Sequence, residues 1–199
     1  MPVIMHFSTF LKLLTQNTGD KIRDLSKCSQ AGGFDYYRTS RDGVASLCGD
    51  SKSLEFVKMR IKAMAPENAI DRNVKIAEHC SNWLKKQTGT GKKAGKALWT
   101  SPKKIFSVHI EPEICLTQGG TNRILAVYPR DEPRINRDQA GAGILLIQKS
   151  YKAGSGPNKF GILDAFAERA YWSPTNSSQS ILDHEITMIE NELTKVLAL

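Results

Sequence analysis

The chain has 199 residues, a formal charge of +8, 40% hydrophobic residues and 24% charged ones, the composition of a globular protein and not of a disordered or fibrous one. A chain of this length buries roughly two-thirds to three-quarters of its unfolded surface, enough for a core without disulfide or metal staples. Its longest apolar stretch, residues 140–147, is eight residues with two glycines, far short of the ~18 a membrane-spanning helix needs, so no membrane partner is expected.

In chain order, residues 2–7 are apolar, but no basic residue precedes them and Lys12 follows too soon for a secretory leader. A cytoplasmic location is the expectation. Phe7, Phe10, Leu11 and Leu14 keep the i, i+3, i+4, i+7 spacing of an amphipathic helix with Ser8 as its cap, and a short second helix is expected from Thr18. Residues 29–50 turn rich in Gly, Ser and Asp and read as a loop with one short helical turn. Leu54, Val57, Ile61 and Met64 predict a third helix ended by Pro66, which suits the first turn of a fourth. That fourth helix sets Ile70, Val74, Ala77, Ser81 and Leu84 on one line. Residues 85–104, rich in Gly, Thr and Lys, read as an exposed connection.

From Phe106 the period becomes two: Phe106, Val108 and Ile110 alternate with Ser107, His109 and Glu111, the pattern of a half-buried strand. Pro112 interrupts it, a second strand continues from Glu113 to Leu116, Gly119 and Gly120 supply a turn, and a third strand returns over residues 123–128, predicting an antiparallel meander. Asn136 is placed to cap a helix reaching about Tyr151, although Gly141 and Gly143 each cost about 1 kcal/mol against Ala in a helix interior. Gly154, Gly156 and Pro157 mark a loop before a strand at residues 159–167. Leu182, Ile186, Ile189, Leu193 and Val196 form the seam of a C-terminal helix, which either docks on the core or pairs two copies as a homodimer. The expected class is therefore α+β. A helical N-terminal half (1–65, basic) precedes a meander, helix and strand core with a C-terminal helix (66–199).

Cys28, Cys48, Cys80 and Cys115 lie twenty, thirty-two and thirty-five positions apart, without a C-x-x-C pair, so they read as reduced, mostly buried small hydrophobes and not as zinc ligands or a redox motif. Charge is unevenly placed. Residues 1–104 hold nineteen Lys and Arg against nine acids, whereas residues 105–199 hold nine against eleven. No acid occurs between His79 and Ile110, where Lys85, Lys86, Lys92, Lys93, Lys96, Lys103 and Lys104 are interleaved with Trp83, Trp99 and Phe106. Lysines neutralise phosphates and an exposed indole such as Trp99 stacks a base, which is the chemistry of sequence-tolerant nucleic-acid binding. The competing reading is a solvated charge run.

Gly91-Lys92 and Gly95-Lys96 lack the partner glycine and hydroxyl residue of a phosphate loop. His109, Glu111 and Glu113 would share a strand face if Pro112 left the period intact, and two carboxylates with an imidazole can hold a divalent cation or act as acid and base. No Ser or Cys nucleophile stands in a recognisable setting. Tyr36-Tyr37-Arg38 and Tyr171-Trp172 serve either as contact patches or as partly buried packing.

The order helix, three strands, helix, strand over residues 66–167 resembles the α-β-β-β-α-β core of the PD-(D/E)xK superfamily of restriction-type nucleases. The resemblance implies a Mg²⁺ site with Glu78 on the first helix and Glu113 on the second strand; a nuclease built this way would use Glu78, Glu111 and Glu113 with a lysine such as Lys104 supplied from elsewhere. The third strand, Arg123-Ile124-Leu125-Ala126-Val127-Tyr128, has neither the acid nor the lysine of that motif, so the implied nuclease-like core is degenerate. Residues 110–140 are also similar to uncharacterised bacterial proteins with a Pro-Glu-aliphatic strand followed by a lysine-rich strand: Glu113 matches the first element, whereas Ala126 and Pro129 stand where the lysines are expected. The expectation is a bacterial-type protein that binds nucleic acid or another polyanion without a cofactor, with Mg²⁺-dependent cleavage and an assembly role as alternatives.

Overall fold

The computed structural model describes residues 2–28, 35–151 and 158–198. In chain order its elements begin with β1 (Val3–His6), α1 (Phe7–Thr15), α2 (Thr18–Cys28), α3 (Arg38–Gly49) and α4 (Leu54–Met64). A 3-10 turn (Glu67–Ala69) leads into α5 (Ile70–Lys85), followed by β2 (Thr90–Lys92), β3 (Ala97–Thr100), β4 (Phe106–Ile110) and β5 (Ile114–Gln118). The chain ends with β6 (Thr121–Tyr128), α6 (Arg137–Ser150), β7 (Asn158–Asp164), β8 (Arg169–Tyr171) and α7 (Ser178–Leu197). The class is α+β with a C-terminal helix.

A strand covered on both faces needs apolar side chains at every position, and residues 124–128 of β6 supply five, all buried. β6 is accordingly the central strand of a five-stranded mixed sheet ordered β2-β5-β6-β7-β8. Its alternate side chains feed two cores. Ile124, Ala126 and Tyr128 pack with α1, α6 and α7, whereas Leu125 and Val127 pack with Tyr37, Val44, Ile76, Cys80 and Trp83 of the α3 and α5 side. β6 and β7 are parallel and joined through α6, as a crossover connection requires. The cap of α6 is as expected: the Asn136 side chain accepts from the Gln139 N–H at 2.9 Å, and the Gln139 side chain accepts from the Asn136 N–H at 3.0 Å.

The strand after residue 104 departs from the expected meander. β4 pairs with β1 in parallel and with β3 antiparallel, forming a separate three-stranded sheet, whereas β5 and β6 form the expected antiparallel pair and β2, from earlier in the chain, joins β5 on its other edge. Pro112 lies between β4 and β5 and marks the change of sheet. The connection expected at residues 85–104 holds β2 and β3, both too short to show a period, and the strand expected to reach residue 167 ends at Asp164 and returns as β8. β1 was not legible because its partner lies about a hundred residues away. Its pairing with β4 also carries hydrogen bonds across the expected boundary at residue 65.

The segment 29–50, expected as loop, contains the twelve-residue helix α3 from residue 38 onward, while residues 29–34 and the loop at Gly154, Gly156 and Pro157 lie outside the described residues. Tertiary packing makes this helix: a Cβ on Gly43 would stand 2.5 Å from the Val57 side chain of α4. His6, not Ser8, occupies the N-cap of α1 and makes no side-chain cap bond. The α7 seam is spent within the protomer, with Leu182, Ile186, Ile189 and Leu193 buried and α7 packed on α6 and α2. Of the two readings of this seam, docking on the core is the one that the packing of α7 on α6 and α2 matches. Cys48, Cys80 and Cys115 are buried and free, and Cys28 is half-buried and free. Among the described residues no helix is long and apolar enough to cross a membrane.

Candidate functional site

Where the two sheets part, the β4–β5 connection (Glu111, Pro112, Glu113) faces α3 (Arg41, Asp42, Ala45, Ser46), Asp50, Arg60 of α4 and the β2–β3 connection (Lys93, Ala94, Lys96). Together they enclose a cleft of about 370 Å³, within the usual range of ligand sites. Gly91 fixes one wall. A Cβ there would lie 1.9 Å from the Cys48 carbonyl oxygen, so only glycine lets β2 approach the end of α3 this closely.

The cleft's inner wall is a buried ion network. Arg41 Nη1 donates to Glu113 Oε1 at 3.2 Å, Arg41 Nη2 donates to Asp35, and the Val127 N–H donates to Glu113 Oε2 at 2.7 Å. Glu113 is 6% exposed and Arg41 8%. Burial pushes the Glu113 carboxyl up to about 7, against the opposing pull of Arg41 and the Val127 amide. Arg41 stays charged: Glu113 and Asp35 together outweigh the desolvation that opposes its charge. Burial, with Arg41 nearby, lowers His6, whose ring centroid lies 6.4 Å from that of His109 on the neighbouring strand.

The rim carries three cations, Arg60, Lys93 and Lys96, beside three carboxylates, Asp42, Asp50 and Glu111. Lys93 Nζ is 3.3 Å from Asp50 and Lys96 Nζ is 2.8 Å from Glu111, with the lysine side chains 79% and 75% exposed. The hydrogen bond from Lys96 holds Glu111 below the usual carboxylate range. Arg60 reaches the same cleft without an ion-pair partner among the described residues. Exposed pairs of this kind contribute roughly 0–1 kcal/mol.

The other lysines of the basic segment are dispersed. Lys85 and Lys86 end α5, where Lys86 pairs with Glu168 at 2.7 Å. Lys92 is exposed on β2, and exposed Lys103 and Lys104 occupy the β3–β4 turn, where the Lys103 N–H donates to Glu190 at 2.7 Å. Trp99 does not present a free indole: it is half-buried and packs on Phe106 with ring centroids 5.7 Å apart. The carboxylates expected to share one Mg²⁺ are separated in role. Glu111 and Glu113 line the cleft, but Glu78 lies outside its lining and pairs with Lys58 at 2.7 Å. Among the described residues, no group of three or more His, Cys, Asp or Glu is arranged to hold a metal ion.

Sequence reasoning missed Asp35, Arg41, Asp50 and Arg60, which lie 33 to 78 positions from Lys93, Lys96, Glu111 and Glu113. No local pattern marks them, since Arg41 sits in a segment whose Gly and Ser content hides its helix. Comparison of the chain with protein-family models and with curated proteins finds no match.

Proposed function

We propose that the protein binds nucleic acid as a polyanion, with the cleft between α3, α4 and the two sheets as the anchoring point. The observation that carries this reading is the meeting of Arg60, Lys93 and Lys96 on one cleft rim, each with an exposed cationic head and at most one exchangeable surface partner. The net charge of +8 supports it by raising the local concentration of any polyanion. Arg41 and Glu113 hold the inner wall rigid and leave the phosphate contacts to the rim.

The test is the affinity for labelled oligothymidylate and for duplex DNA across a salt series. Three rim contacts to a single strand give a slope of about −2 in log K against log salt. A flat response, or no binding at low salt, overturns the reading.

A further inference from the structure

A second group of cations lies away from the cleft. Arg123 of β6 and Lys159 of β7 are register partners on adjacent parallel strands. Like charges side by side on a sheet repel each other, and neither residue makes an ion pair among the described residues. The two cations converge instead on the ring of Trp172, with the Arg123 guanidinium carbon 4.5 Å and Lys159 Nζ 5.3 Å from its centroid.

That ring is held in place from below. A Cβ on Gly161 would lie 2.8 Å from Trp172 Cε3, so the absence of a side chain on β7 is what lets the indole lie against the strand. Lys159 is exposed and Arg123 and Trp172 are half-buried. Two positive heads within about 10 Å of each other, on flexible stems around one aromatic platform, have the ring's quadrupole and no carboxylate partner among the described residues. A phosphate monoester, carrying nearly two negative charges at neutral pH and three acceptor oxygens, matches both charge and donor number.

We infer that Arg123, Lys159 and Trp172 form a binding site for a dianionic phosphoryl group, separate from the cleft and independent of whether the cleft binds nucleic acid. The anion bridges the guanidinium and the ammonium and draws them from the indole, so Trp172 reports its arrival directly.

The experiment follows the three indole N–H signals by two-dimensional NMR while inorganic phosphate replaces chloride at constant ionic strength and neutral pH. A saturable shift of Trp172, with Trp83 and Trp99 stationary, is expected. R123Q/K159Q weakens the apparent affinity at least about tenfold, and K93Q/K96Q leaves it unchanged. If R123Q/K159Q loses the native Trp83 signal, exposed Lys159→Gln alone serves, with about a threefold weakening expected. No Trp172 shift, an equal shift of all three indoles, or a shift that survives the Gln substitutions overturns the site. An unphosphorylated oligothymidylate is the second arm: if it moves Trp172 and inorganic phosphate does not, the pair reads backbone diesters and the dianion site is rejected.

Discussion

Glu113 is the residue whose chemistry is most altered by the fold. In the unfolded chain it titrates near 4.5, and in the folded protein burial raises it to about 7. The folded state therefore holds this proton more tightly. Its stabilising contribution is complete below pH 4.5 and is lost as pH rises through 7. Urea unfolding should show wild-type stability falling relative to Glu113→Gln by up to about 3 kcal/mol between pH 4.5 and 8. His6, lowered by burial, acts in the opposite direction, but it is common to both proteins and drops out of the difference. Parallel pH curves for the two proteins would show that Arg41 keeps Glu113 ionised throughout. From the sequence, Glu113 was marked by its neighbours Glu111 and Pro112. Arg41, which sets its surroundings, gave no signal 72 positions away.

At the scale of elements, legibility followed length and periodicity. α4, α5, α6 and α7 each present buried residues at helical spacing over at least eleven residues, so their existence and approximate ends could be read. α3 could not, because its RTSRDGVASLCG buries only Val44, Cys48 and small or polar positions, and its glycine matters through contact with α4. β2 is three residues long and owes its place to pairing with β5 and to the close approach of Gly91 to α3. This contact makes β2 the element that sets the cleft rim, since Lys93 follows it directly. Gly91→Ala forces the backbone of β2 away from Cys48 and should cost about 1–3 kcal/mol in thermal or urea unfolding, together with reduced oligothymidylate affinity. Unchanged stability would mean that β2 does not lean on α3. The cleft was half legible: its lysines and glutamates stand in conspicuous runs, whereas α3 and α4 supply the opposite wall through long-range packing alone.

Across the whole molecule, the basic character read from the first 104 residues does not become one continuous basic face. Lys86 and Lys93 meet carboxylates from distant parts of the chain and Lys96 meets Glu111 across the β3–β4 hairpin, and the α5 end, the cleft rim and the β3–β4 turn are separate positions. What distinguishes the rim is convergence on a cavity, and the functional reading depends on that difference. The most direct measurement compares the salt slope of oligothymidylate binding for the wild type, for R60Q/K93Q/K96Q and for K85Q/K86Q. The rim variant should flatten the slope by about 2, while the α5-end variant leaves it nearly unchanged. Equal losses in both variants, or an undiminished slope in the rim variant, would contradict a cleft-centred interface.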